Sequence, residues 1–456
     1  MRIIVGNIVN KIGIDKAVAY VLFARGWSVL AGLITLYFIS HDLTKVEQGF
    51  YYTFSSVLAM QVFFELGFSS VISQFASHEM SKLTWRDGLI TGNEQAKSRL
   101  FSLFKLAIKW YGVIALLMLL IVAPAGYLFF NCSYPASSVS WIWPWIVLVL
   151  CTSGNLFISP VIALLEGTGL VAAVAKMRLF QSVFSSSAAW LALYLGSGLF
   201  AAAIIALVTL CSNSGWLFLN KRSFLYSVFI SKKSENVISW KKEIFPMQWR
   251  IAISWLSGFF IFQLFTPLVF KYHSPEAAGQ VGMSFSIANV LSSLAMAWIT
   301  TKTPFFGQLI ASEKFDQLDH LFKKVFWQSW GVLFLLVVTF MFALLLINYL
   351  NIPFSGRLLK PLEFSQILLA VLANHIVFAQ ATYVRAHKCE PYLQHAVILA
   401  IFIGVSCYLA GRYSSVLNLL LAYSCVCILI GVGYSNYIFV TFKSKRIPKA
   451  SKDIIA

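Results

Sequence analysis

Apolar runs of about 20 residues, the length that crosses a hydrocarbon core of roughly 30 Å, recur along the whole 456-residue sequence. They predict helical spans near 15–39, 49–76, 105–130, 141–165, 176–196, 199–219, 248–270, 279–303, 325–347, 364–384, 391–410 and 416–440. The fifth and sixth are divided only by Gly196-Ser197-Gly198. Together they are too long for a single crossing, so a tight turn is expected there. The pattern therefore predicts an all-α polytopic membrane protein with about twelve transmembrane helices.

Composition agrees with this class: 59% of residues are hydrophobic, 11% are charged and the mean hydropathy is +0.78, values outside the range of soluble globular domains. The net charge of +18 would suit nucleic acid, but its placement points to topology instead. With the N-terminus inside, the external connections carry only Lys45, Lys271, Arg357, Lys360 and Arg412 of the 35 basic residues. Arg25 lies within a span and the other 29 fall in or beside internal segments. This asymmetry predicts an even number of spans with both termini in the cytoplasm. The basic tail from Lys443 to Lys452 is read as a topology signal with attraction to anionic membrane lipids, and no nucleic-acid partner is expected.

The longest internal connection, Asn220 to Met247, lies near the midpoint and divides the spans into two sets of six. The expected organisation is an N-terminal six-helix bundle at 1–222, a basic cytoplasmic linker at 223–247, a C-terminal six-helix bundle at 248–442 and a basic tail at 443–456. A faint internal similarity supports two halves. Glu47-Gln48-Gly49 has a counterpart in Glu276-Ala277-Ala278-Gly279, and Ala76-Ser77-His78-Glu79 in Ala311-Ser312-Glu313. Because six is even, both halves enter the membrane in the same orientation, with a substrate path expected at their interface.

The candidate chemistry lies in polar residues inside apolar runs. Arg25 interrupts the otherwise uncharged stretch from Val18 to Ile39. A cation at that depth costs about 2.5–3.5 kcal/mol on insertion scales and normally faces a bundle interior or a wet cavity. Glu65 lies at a similar depth in the second span, roughly 15 Å in at 1.5 Å per residue, where adjacent antiparallel helices would bring the two charges together. Three readings stay open for that pair: a permanent structural ion pair, a substrate or proton-coupling site, or no contact at all. Gln61, Gln263, Asn289, Asn374, His375 and Gln380 are further intramembrane candidates, each suited either to a glycan contact or to hydrogen bonding between helices. Lys302 and Arg385 sit near cytoplasmic ends, placed to attract an anionic headgroup or to snorkel.

Other chemistries find no support. The seven cysteines form no disulfide framework and the seven histidines lack metal-ligand spacing, so neither a metal nor a cofactor is expected. Nucleophile-elbow, phosphate-loop and dinucleotide fingerprints are missing from the sequence. Its connections are also too short to hold the acceptor domain of a membrane-bound polymerase, so an enzyme is not expected.

Four short stretches carry a family resemblance: Phe23-Ala24-Arg25-Gly26-Trp27, Glu65-Leu66-Gly67-Phe68, Leu165-Glu166-Gly167-Thr168-Gly169 and Tyr383-Val384-Arg385-Ala386-His387-Lys388. With span count and loop sizes, they resemble the polysaccharide-transporter branch of the multidrug/oligosaccharidyl-lipid/polysaccharide exporters, within it the Wzx-type O-antigen flippases. The resemblance implies a V-shaped pair of bundles around a central cavity, alternating between inward-open and outward-open states in the bacterial inner membrane. Its cargo would be undecaprenyl-diphosphate-linked oligosaccharide, moved from the cytoplasmic to the periplasmic leaflet. A coupling ion, proton or sodium, and other polysaccharide assembly proteins are the partners it implies. An arginine suits a diphosphate because its fork of donors pairs with phosphate oxygens and stays protonated, so Arg25 is the leading headgroup ligand. The other classes considered are a secondary exporter of small amphiphiles and a membrane-embedded polysaccharide-processing enzyme.

Overall fold

The structure, a computed structural model, describes residues 16–135, 139–230, 238–387 and 389–452. Within its helical segments the side chains of residues 16–19, 21, 22, 25, 241, 242, 246, 247, 304 and 446–452 lie outside the described set. Every expected run is helical: α1 (Lys16–Asp42), α2a (Lys45–Leu58) with α2b (Phe68–Met80), α3 (Glu94–Ser133), α4 (Ile142–Gly167), α5 (Val171–Tyr194) and α6 (Phe200–Ile230) in the first half. The second half contains α7a (Phe245–Phe262) with α7b (Phe265–Tyr272), α8a (Pro275–Thr300) with α8b (Thr303–Ala311), α9 (Phe315–Tyr349), α10 (Pro361–Ala386), α11 (Tyr392–Tyr413) and α12a (Val416–Val426) with α12b (Gly433–Lys452).

Among the described residues, eight of these helices are long and apolar enough to cross a membrane, or ten if each of two bent pairs is one span. Helices α1 and α5 fall outside that count. Helix α1 includes side chains outside the described set. Helix α5 is diluted by Arg178, Gln181 and Ser185-Ser186-Ser187.

Three features depart from the expected runs. The second span is not continuous but bends by 47° between Glu65 and Phe68, and the seventh bends by 44° between Phe262 and Phe265. Helix α6 continues to Ile230, so the linker expected to begin at 223 starts inside a helix. Between α2b and α3 a two-stranded antiparallel hairpin pairs β1 (Leu83–Arg86) with β2 (Leu89–Gly92) in the register Leu83 to Gly92. Its turn is Asp87-Gly88, with φ of 51° and 77°. Two consecutive positive φ values match the right-handed twist of the strands, the reason Asp-Gly favours such turns.

The chain divides into two compact units, residues Met1–Glu47 with Val57–Leu256 and residues Gln48–Ser56 with Ser257–Ala456. In unit 1, α4 packs against α2b, α3 and α6, and α1 packs along α5. Two tryptophans fix the α1–α5 contact: Trp27 donates from Nε1 to Ser186 Oγ (3.2 Å) and Trp190 to Thr35 Oγ1 (2.9 Å). The hairpin seats its Trp85 ring against Phe224 of α6, while Trp85 Nε1 donates to the Thr168 carbonyl (3.0 Å). The segment entering α7a is clasped to α3. Arg99 bridges Glu79 (2.8 Å) and Glu243 (2.6 Å), and Trp240 stacks on Trp110. The backbone N–H of Ser239 and the Arg99 guanidinium together hold the Glu243 carboxyl below its usual range.

Unit 2 is organised around α10, which buries residues on every face. Its polar residues form a ladder to α12. Ser424 Oγ donates to Gln366 Oε1 (2.9 Å), Asn374 Nδ2 to Tyr423 Oη (3.2 Å) and Gln380 Nε2 to Asn436 Oδ1 (2.6 Å). Such bonds inside membranes average about 0.6 kcal/mol each. Within the same unit, Gly49 of α2a meets α8a, at the two glycines that the internal similarity aligns. A Cβ at Gly49 would lie 1.9 Å from the Pro275 carbonyl oxygen, and one at Gly279 would lie 2.9 Å from the Gly49 nitrogen. Gln48 Nε2 donates to the Gly279 carbonyl (2.9 Å) beside this contact.

Backbone cannot yield as a side chain can, so Gly49→Ala is expected to lower stability by at least the 1–3 kcal/mol typical of overpacking. Gly258, with open space around it on α7a, is the control: Gly258→Ala should be neutral or stabilising by up to about 1 kcal/mol. Thermal melting of the two purified variants checks this, and equal melting temperatures would contradict the close helix contact.

Candidate functional site

The bend in the second span opens the site. Leu66 and Gly67 both lie in the left-handed region, with φ of 49° and 66°, which ends the preceding turn and starts α2b in a new direction. Backbone groups on each side stay bonded: the Leu66 N–H donates to the Val62 carbonyl (3.1 Å), and the Ser70 N–H and Oγ both donate to the Gly67 carbonyl (3.2 and 2.7 Å). A Cβ at Gly67 would sit 2.4 Å from Ile251 Cγ2, so helix α7a packs directly on the bend.

Beside this bend, a cavity of about 500 Å³ lies inside unit 1 between α2, α4, α5 and α6. Gln61, Glu65 and Ser69 line it from the second span, Asn155 and Ser159 from α4, Arg178 and Gln181 from α5, and Thr209 and Asn213 from α6. Residues three or four apart share a helical face, which is how each helix presents its polar pair together. Leu156, Ile162, Ala163 and Met177 supply the apolar part of the wall.

Hydrogen bonds among the lining residues use only part of their capacity. Asn155 Nδ2 donates to the carbonyls of Cys151 (3.0 Å) and Ala206 (2.9 Å), and its Oδ1 accepts from Asn213 Nδ2 (3.3 Å). Gln181 Nε2 approaches Thr209 Oγ1 at 3.4 Å. From the described residues the Glu65 carboxylate accepts one long bond, from Tyr111 Oη (3.4 Å), whose own oxygen is engaged with Ser69 Oγ (2.8 Å). No ion pair joins Glu65 to another described residue. Arg178, in contrast, is committed to Glu166 through two bonds of 2.9 and 3.3 Å.

Of the residues expected to form the site, the structure brings Gln61 and Glu65 together in this cavity. Arg25 falls within α1, and its side chain lies outside the described residues; the neighbouring described side chain Trp27 contacts α5. Gln263 sits at the α7 bend, and Asn289 is exposed on α8a. Lys302 is exposed at the start of α8b with its ammonium over the Phe305 ring (5.3 Å). His375 is fully buried in unit 2, where its Nε2 lies 2.9 Å from Ser329 Oγ. Ser329 in turn donates its hydroxyl proton to the Ala295 carbonyl (2.6 Å), so His375 donates from Nε2 to Ser329 Oγ and ties α10 to α9 and α8a. Gln380 belongs to the α10–α12 ladder, where Ser435 Oγ also donates to its Oε1 (2.6 Å). Arg385 is exposed and forked onto Glu390, with bonds of 2.9 to 3.2 Å.

The remaining cavity residues were not singled out from sequence. A signal existed: Asn155 and Ser159, and Thr209 and Asn213, are polar pairs four residues apart within apolar runs, and Gln61, Glu65 and Ser69 repeat that interval. Neither a family model nor a curated protein matches the sequence.

Solved structures do match the fold. The chain is similar to the DinF-BH multidrug transporter of the MATE type solved with R6G, at 14% identity and a TM-score of 0.60 over 94% of this chain and 95% of that one. It is similar to the lipid II flippase MurJ in an inward closed conformation, at 15% identity and a TM-score of 0.58 over 93% of this chain and 87% of that one. An inward-facing MATE family transporter of the MOP superfamily matches at 13% identity and a TM-score of 0.54, over 91% of this chain and 99% of that one. The chain thus shares the fold of multi-span membrane transporters and a flippase.

The left-handed backbone at Gly67 generates a direct test. Gly67→Ala should cost about 1–2 kcal/mol for the backbone alone, plus the displacement of Ile251. Gly88→Ala, also at positive φ but with open space around it, should incur only the backbone part. If Gly67→Ala melts no lower than Gly88→Ala, the bend is not packed as described.

Proposed function

We propose that this protein is a flippase that carries undecaprenyl-diphosphate-linked oligosaccharide from the cytoplasmic to the periplasmic leaflet of a bacterial inner membrane by alternating access. The observation that carries the reading is the amide- and hydroxyl-lined cavity set among the apolar helices of unit 1. Polar groups at membrane depth are tolerated where they are bonded internally or line a wet cavity, and this cargo needs such a place. Its isoprenoid tail can stay in lipid, whereas its diphosphate and glycan must be sheltered from hydrocarbon. A fold shared with a lipid II flippase supports a lipid-anchored cargo.

In this reading Arg25 is the diphosphate ligand. Lys302, exposed beside Phe305, is suited to meet anionic headgroups, while Arg385 is held by Glu390 and so contributes less. His375 and Gln380 act in helix packing, since each is buried and bonded to a neighbouring helix. Glu65, lining the cavity without an ion pair to a described residue, is placed to take a coupling proton or sodium ion.

A second reading, export of small amphiphilic cations, is favoured by that same carboxylate and by the fold's likeness to multidrug transporters. The two readings differ in cargo. In a strain lacking its own flippase, the native chain should restore surface glycan without lowering accumulation of an organic cation dye; the reverse result would favour the exporter. Arg25→Ala should abolish the restored glycan with the protein still present in the membrane, and Arg25→Lys should retain only part of it, because a point charge replaces a bidentate fork. Native glycan levels with Arg25→Ala would remove Arg25 from the headgroup site.

A further inference from the structure

We propose that the unit 1 cavity is a glycan subsite, which holds one uncharged, hydroxyl-rich sugar ring of the cargo and excludes its diphosphate. This inference rests on the flippase reading and assigns to the cavity one part of the cargo.

Charge decides against the diphosphate. Among the described lining residues Glu65 carries the one carboxylate, and it forms no ion pair with a described residue. Among the described lining residues Arg178 carries the one guanidinium, and Glu166 already neutralises it through two hydrogen bonds. A diphosphate entering here would meet the Glu65 carboxylate and a cation whose charge Glu166 already balances.

The same groups suit a sugar. Each hydroxyl of a pyranose both donates and accepts, and the amides of Gln61 and Gln181 present both functions to it. Glu65 can accept from two neighbouring hydroxyls, one per carboxylate oxygen. The C–H face of the ring is apolar and matches Leu156, Ile162 and Met177 on the wall. A volume of about 500 Å³ lies within the 300–1,000 Å³ of small-molecule pockets. It is of the size for a ring or two and not for a whole lipid-linked unit.

The test uses the full chain in lipid nanodiscs and saturation-transfer NMR, which detects weak ligands. The probes are methyl glucoside for the sugar and methylenediphosphonate for the diphosphate. The glucoside should receive saturation from the native protein, and the signal should fall by about tenfold in Gln61→Leu/Gln181→Leu, where two half-buried hydrogen-bonding groups are lost. Thr209→Val, nearly unchanged in shape, should also weaken it while melting close to the native protein, which separates lost binding from lost folding. The diphosphonate signal should be the same in all three proteins. Equal glucoside signals in native and variant proteins, no glucoside signal at all, or a diphosphonate signal that drops in the variants would each overturn the subsite. Flipping by the native chain is read separately in vesicles: flipping without sugar binding defeats the subsite alone, and sugar binding without flipping defeats the flippase reading alone.

Discussion

The left-handed pair at Leu66 and Gly67 is the constraint on which the site depends. A continuous α-helix would carry Glu65 and Ser69 along one straight stripe. Instead the backbone turns by 47° between them, and both still face one cavity. The turn is affordable in a membrane because its polar groups are bonded from both sides, as any non-helical backbone at that depth requires. Its glycine is fixed by contact as well as by φ, since a side chain there would run into Ile251. Leucine at 66 has no such excuse. It carries a left-handed conformation that costs an ordinary residue roughly 1–2 kcal/mol, at the edge of the proposed binding site.

The two units handle intramembrane polarity in opposite ways. In unit 2 the polar residues of α10 are bonded across helices: Gln366 to Ser424, Asn374 to Tyr423, Gln380 to Ser435 and Asn436, and His375 to Ser329. These contacts fix helix packing and leave little capacity for a ligand. In unit 1 the amides of the second span, α4, α5 and α6 surround a cavity, with Glu65 accepting one long hydrogen bond from the described residues. An unpaired polar group costs several kcal/mol in hydrocarbon. Of the polar residues of α5, Arg178 and Gln181 line that cavity.

Apolar periodicity located the helices well, because each crossing must be about 20 residues long whatever it packs against. It did not locate the bends, since hydropathy records where a residue is buried and not which way the backbone runs. Gly67 was a hint, but Leu66 was not. The hairpin at 83–92 is legible in Asp87-Gly88 flanked by strand-forming residues, a turn signal that span-length hydropathy does not register. The extension of α6 was hidden by the charges of Lys221 and Arg222, which read as loop yet sit on a helical surface. For the site, the sequence marked Gln61 and Glu65 but could not separate cavity residues from packing residues. That separation depends on partners far along the chain, such as Ser329 for His375 and Asn436 for Gln380, whose arrival no local pattern announces.

The central claim, that the chain carries a lipid-linked oligosaccharide across the bilayer, is tested most directly by reconstitution. The purified chain is placed in vesicles with an undecaprenyl-diphosphate oligosaccharide bearing a fluorophore on its glycan, and a membrane-impermeant reductant is added outside. In vesicles without protein only the outer-leaflet pool should be quenched. With the chain present, quenching should continue until nearly the whole pool is lost, as inner-leaflet glycan reaches the outer face. A plateau identical to that of empty vesicles would contradict the account.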